Sequence, residues 1–164
     1  MAAEGDGMAA RSAGILVHRR RAGAVEVLLA HPGGPFWAKR DAGAWSIPKG
    51  EYADDEDPEA AARREFQEET GWTIKGELRP LGEIRQKAGK AVTAFAAEGD
   101  FDPASLESNH FEMEWPPRTG KRASFPEIDR AKWFSLAEAS EKIIEGQRIL
   151  LDRLEELVGG SGAG

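Results

Sequence analysis

Three glutamates stand at positions 65, 68 and 69. On a helix the spacing i, i+3, i+4 puts them on one face, where like charges repel and weaken the helix unless something offsets them. A divalent cation would do so. Hard Mg²⁺ or Mn²⁺ takes oxygen ligands in octahedral geometry, a few carboxylates completed by water and phosphate oxygens. An ion held there can polarise a phosphoryl oxygen, activate water and stabilise a leaving phosphate. The trio is part of a wider excess: the stretch PKGEYADDEDPEAAARREFQEETGW, Pro48 to Trp72, carries nine carboxylates. The plainer alternative is a solvated acidic face, partly neutralised by Arg64, which adjoins Glu65 and lies four residues before Glu68.

A helix must carry these side chains, and the sequence marks both its ends. Asp57-Pro58 places an N-cap before a proline at the first helical position. The strong helix formers of EAAARREFQEET follow, and Gly71 sits where a left-handed C-terminal residue belongs. The helix is expected from about Pro58 to Thr70, with Ala62 and Phe66 on an adjacent stripe able to pack on a sheet. Before it, AGILVHR and VEVLLAH read as two strands joined at the Gly-containing turn RRAGA. The segment HPGGPFWAKRDAGA reads as a long loop, and WSIP as a short strand ended by Pro48. After it, WTIKGEL, LGEIRQ, KAVTAFAAE and DRAKWFS read as strands, and SLAEASEKI and GQRILLDRLEELV as helices. The last helix offers Ile149, Leu150, Leu154 and Leu157 as its apolar stripe. Strands that look hairpin-linked, interspersed with helices, favour a mixed sheet covered by helices: an α/β (α+β) fold rather than a doubly wound parallel sheet. Residues 1–11 and the glycine-rich 159–164 read as flexible ends around one domain, 12–158.

Length and charge bound the rest. A chain of 164 residues suits one domain with a real core. A net charge of −7 argues against a DNA-coating surface, which needs a basic face. It leaves room for small phosphorylated ligands recruited through metal. With no cysteine there is no thiolate metal site and no thiol nucleophile. No apolar run approaches a membrane span, and the first residues do not read as a signal peptide, so the cytoplasm is the expected location.

Gly50, Glu56, Arg64, Glu65, Glu68, Glu69 and Gly71 follow the spacing G-x5-E-x7-R-E-U-x-E-E-x-G-U, with Phe66 and Trp72 at its two bulky apolar places, U. This resembles the signature of the Nudix hydrolases, and no fixed position departs from it. The resemblance implies an α/β/α sandwich with a mixed β-sheet between helices. It makes Glu65, Glu68 and Glu69 ligands of Mg²⁺ (or Mn²⁺), with the Lys49 carbonyl as an extra one. Glu56 then supports the loop or reaches the metal through water, and Arg64 orients a catalytic glutamate, a task that suits its rigid fork of donors. Gly50 lets the backbone approach the metal. The general base stays open between Glu68, Glu69 and a glutamate of a later loop, Glu112, Glu114 or Glu127.

The resemblance also narrows the substrate. Pro48-Lys49-Gly50 within WSIPKG resembles the subgroups acting on diadenosine polyphosphates, diphosphoinositol polyphosphates and RNA 5′ ends, and Lys49 would set a cation beside a phosphate chain. Trp45, Lys49 and Glu114 are the expected substrate contacts. Other subgroup marks are missing: the single tyrosine, Tyr52, lies inside the motif, and QKAGKAV lacks the downstream proline of ADP-ribose hydrolases. Arg85, Lys87 and Lys90 could meet distal phosphates or simply guard an edge strand. Phe36, Trp37 and Trp115 could stack on a base or staple loops. Arg19, Arg20 and Arg21 form a basic turn, read as solvated.

The expectation is therefore a metal-dependent hydrolase of a nucleoside diphosphate linked to another group, favoured as a dinucleoside polyphosphate or a similar long polyphosphate. (d)NTP or ADP-ribose hydrolysis is the nearer alternative. A non-catalytic nucleotide-sensing module is the more distant one. An isopentenyl diphosphate isomerase is set aside because its catalytic cysteine is missing. Expected partners are small nucleotides or polyphosphates, with an RNA 5′ end admitted but not favoured, no DNA and no membrane, in a monomer or homodimer.

Overall fold

The computed structural model describes residues 11–86 and 89–159. The strands are β1 (Arg11–Arg21), β2 (Ala24–Pro32), β3 (Lys49–Glu51), β4 (Arg79–Arg85), β5 (Ala91–Glu98), β6 (His110–Glu114), β7 (Arg122–Pro126) and β8 (Ile128–Ser135). The helices are α1 (Pro58–Thr70), α2 (Leu136–Lys142) and α3 (Arg148–Leu157). Among the described residues no helix is long and apolar enough to cross a membrane.

β1 is the axis of the main sheet, whose order is β4-β5-β1-β2-β8. Along one edge β1 runs parallel to β5, from Arg11 opposite Ala91 to His18 opposite Glu98. Its other edge is shared: Ser12–Gly14 pairs antiparallel with β3, and Val17–Arg21 with β2. β3 enters closely enough that a Cβ on Gly14 would lie 2.7 Å from the Pro48 carbonyl oxygen and from the Lys49 Cβ. β1 is covered on both faces and so reads as a continuous apolar run. Ala13, Ile15 and Val17 face α1, and Leu16 faces the opposite layer.

Two cores result. One lies beneath α1, where Ala61, Ala62 and Phe66 meet Ile15, Leu28, Phe95 and Ala97. The other lies beneath α2 and α3, where Phe134, Ile143, Leu150 and Leu154 meet Leu16, Val27, Leu29 and Val92. This is the expected mixed sheet between helices.

The structure differs from the sequence reading in four places. WTIKGEL forms no strand; it crosses as an irregular segment with Trp72, Ile74 and Leu78 buried, and pairing begins at Arg79. The later loop expected to carry Glu112 and Glu114 is part of a second sheet, the hairpin β6–β7. Arg11 opens β1 instead of belonging to the loose N-terminus, while residues 1–10 and 160–164 lie outside the described residues. In α3, Leu151 replaces Ile149 on the buried stripe, beside Leu150 and Leu154 and in line with the buried Gln147, and Ile149 is 46% exposed.

Candidate active site

α1 forms where its end signals sit. The Asp57 side chain accepts from the Ala60 N–H at 3.0 Å. Gly71, at φ 81°, donates its N–H to the Gln67 carbonyl at 2.8 Å. Phe66 and Ala62 turn into the core, which fixes the rotation of the helix and leaves Glu65, Glu68 and Glu69 on a common side, facing β3 and the loops.

Arg64 organises this side. Its Nε and Nη2 grip both Glu56 carboxylate oxygens at 2.9 Å, a bidentate fork. Its Nη1 donates to Glu65 Oε2 at 2.7 Å and lies 3.5 Å from Glu68. The guanidinium holds the Glu56 carboxyl below its usual range. Burial pushes the Glu65 carboxyl up, against the pull of Arg64. Glu65 is seated directly on β3: a Cβ on Gly50 would fall 1.8 Å from Glu65 Oε1. The close approach that glycine permits here is therefore of β3 to a motif carboxylate.

Glu69 stands apart from Arg64. Half-buried, it has its carboxyl pushed up to about 8 by burial first, then by Glu127 and Glu65, with Lys49 pulling the other way. Burial in turn drives the Lys49 ammonium below its usual range, and Glu69 partly restores it. Glu69, Lys49 and Glu127 line one cavity of about 200 Å³, completed by Ala30, Pro32, Ser46, Ile47, Pro48 and Ile128. Backbone bonds clasp its rim: the Asn109 N–H donates to the Glu68 carbonyl, the Glu127 N–H to Asn109, and the Gly33 N–H to Glu127.

Among the described residues no three of His, Cys, Asp and Glu are disposed to hold a metal ion. The reason is visible in the side chains. Arg64 draws Glu65 and Glu68 toward itself, while Glu69 lines the cavity with Lys49 and Glu127. The donor set nonetheless fits a hard dication: adjacent carboxylates from one helix, one of them excluded from the Arg64 pair, beside a glycine that lets Glu65 seat against the backbone of β3.

Other expected contacts land elsewhere. Trp45, expected at the substrate, is 3% exposed. Its ring packs edge-on against His31 and Phe134, and its Nε1 donates to Asp41 at 2.8 Å. It is a core residue: Ser46 and Ile47 line the cavity, but the Trp45 ring turns away into the core between His31 and Phe134. Glu114, also expected there, accepts from the Gly120 N–H and closes the β6–β7 loop. Glu112 faces Arg122 on the same hairpin. Of the three later-loop glutamates only Glu127 reaches the cavity. Lys90 lies near enough to depress the Lys49 ammonium, Arg85 donates to the Gly89 carbonyl, and Lys87 lies outside the described residues. Phe36 meets Trp115 edge-on, and Arg40 lies over Trp37.

Sequence reasoning missed Gln147. Fully buried, it accepts the Ile47 N–H on Oε1 at 3.0 Å and donates Nε2 to Gln86. It anchors the segment leading into β3, two residues before Lys49, from the opposite layer. Nothing local in the sequence signals this, since an isolated glutamine at a helix start looks like a solvated residue.

Comparison with known proteins bears on this geometry. The NUDIX domain model matches residues 8–154. No curated protein matches the chain with significance. The structure is similar to a C. elegans Ap4A hydrolase binary complex at 24% identity and TM-score 0.64, covering 90% of this chain and 98% of that one. It is similar to the NUDIX domain of Shewanella oneidensis NrtR complexed with ADP ribose at 16% identity and TM-score 0.63, covering 92% and 88%. It is also similar to the MutT protein of Methanosarcina mazei at 22% and 0.60, covering 91% and 94%.

Proposed function

The chain belongs to the Nudix family and is by that membership a Nudix pyrophosphohydrolase, and from this premise we propose that it cleaves a phosphoanhydride in a dinucleoside polyphosphate or a similarly long polyphosphate. The observation that carries the reading is Lys49, a half-buried cation in the same cavity as Glu69 and Glu127. A polyphosphate chain entering there meets a desolvated ammonium, which binds phosphate more strongly than a surface lysine. Lys90, close to Lys49, extends the positive potential along the chain. The Ap4A hydrolase of C. elegans carries that activity in its name on a similar fold.

The chain's own groups divide the work. Glu65, Glu68 and Glu69, with the Lys49 carbonyl, would hold Mg²⁺ or Mn²⁺. The ion, when bound, neutralises phosphate charge and lowers the pKa of water. Arg64 fixes Glu65 and Glu56 so that their carboxylates cannot drift. Lys49 Nζ orients the polyphosphate. Glu127, lining the cavity beside Glu69, accepts the proton of the attacking water. The phosphoanhydride oxygen departs as a phosphate.

A product-resolved screen with Mg²⁺ and with Mn²⁺ tests the reading. Its panel holds diadenosine polyphosphates, nucleoside triphosphates, ADP-ribose, diphosphoinositol polyphosphates and 5′-triphosphorylated RNA. Cleavage of long polyphosphates is expected, weakened by Lys49→Met. Turnover confined to ADP-ribose or triphosphates would discard the Lys49 argument and keep the enzyme. Binding without cleavage of any of them would make this a nucleotide-sensing module.

A further inference from the structure

At the other end of β1 from the catalytic helix lies a second cavity, of about 400 Å³, within the size range of small-molecule sites. Its floor is His18, 8% exposed on β1. Neither ring nitrogen of His18 finds a hydrogen-bond partner among the described residues, and a buried polar group in that condition calls for an explanation. Burial holds the imidazole below its usual range, and Glu98, Arg79 and Arg20 are all close enough to act on its charge.

The wall is chemically specific. Arg20 and Arg79 bring guanidinium groups, and Glu77 and Glu98 bring carboxylates. Arg19 is already committed to Glu26 and Asp100. Arg20 is moored through carbonyls, donating to Gly23 and to Val158 at the end of α3, so its positive charge is placed but not neutralised. Leu157, Val158, Val25 and Ala96 add an apolar side.

We propose that this cavity is a binding site for a sugar phosphate or nucleoside monophosphate. Arg20 and Arg79 take the phosphate by charge-assisted hydrogen bonds. Glu77 and Glu98 accept from sugar hydroxyls, and the unpartnered His18 completes the polar contacts at the floor. A bare phosphate would meet the two glutamates as repulsion; a phosphate carrying a diol satisfies both kinds of side chain. The site uses no residue of the catalytic helix.

The test is calorimetric titration of the full chain without divalent metal, using ribose 5-phosphate, AMP, ribose and inorganic phosphate as probes. Amide chemical shifts locate the site. Ribose 5-phosphate is expected to bind at least tenfold more tightly than ribose or phosphate, with the largest shifts around His18 and Glu98. Arg79→Ala, an exposed change that leaves the core intact, is expected to weaken binding tenfold or more, and Glu69→Gln to leave it unchanged. Binding indifferent to Arg79→Ala, shifts centred on Lys49, equal affinity for inorganic phosphate, or no binding of any probe would each overturn the proposal.

Discussion

In the metal-free protein at neutral pH the Glu69 carboxyl keeps its proton, because burial and the nearby Glu127 and Glu65 raise it to about 8 while Lys49 offsets only part of that. Two outcomes follow at this single residue. A dication must displace the proton to use the carboxylate, so metal affinity is expected to rise about tenfold per pH unit below 8 and to level off above it. Calorimetry in buffers of different ionisation enthalpy would detect the released proton. The second outcome concerns stability. A carboxyl whose folded value exceeds its unfolded one favours the fold most fully below the unfolded value, and that contribution is lost as pH rises through about 8. Glu69→Gln removes this titration. The variant is expected to melt with the wild type in acid, above it in mild alkali, and to lose about 100-fold or more in turnover. A near-normal rate would dismiss Glu69 from the site.

Turns and caps set how the elements meet. The β1–β2 hairpin turns on Ala22 and Gly23, at φ 53° and 82°, the two left-handed positions of a type I′ turn. An alanine there is strained by about 1 kcal/mol, which asparagine relieves. Ala22→Asn is expected to raise the urea midpoint at unchanged slope. The local signals of α1 were all legible, since the cap, the leading proline and the closing glycine act within one or two turns. The β6–β7 hairpin was hidden because its alternation lasts only five residues, with Phe111 and Met113 half-buried between exposed glutamates and prolines close by. The buried stripe of α3 was ambiguous because Ile149, Leu150 and Leu151 are consecutive apolar residues, and spacing alone does not say which two of them face the core.

At the scale of the whole molecule the site is assembled from both layers, and this is where sequence reading stops. The motif named Glu65, Glu68, Glu69 and Arg64, but that Trp45 belongs to the core and that Gln147 steadies Ile47 depend on contacts about one hundred residues long. Gln147→Leu leaves the buried Ile47 N–H without its partner, at a cost of about 1–3 kcal/mol. It is expected to lower the urea midpoint and, by loosening the approach to Lys49, to raise KM more than it lowers kcat.

The sharing of β1 between β3, β2 and β5 also has a kinetic meaning. β5 completes β1 only at a fixed separation of eighty residues, Arg11 with Ala91 and His18 with Glu98. The loop must close before that pairing repays its entropy, so the central strand is finished late, and topologies of this kind fold in milliseconds or more slowly. On the ribosome β1 and β2 can form a hairpin early, yet its β1 edge stays bare until the chain has grown past Glu98 and its β2 edge until β8 has followed. During synthesis these unpaired edges are templates for aggregation.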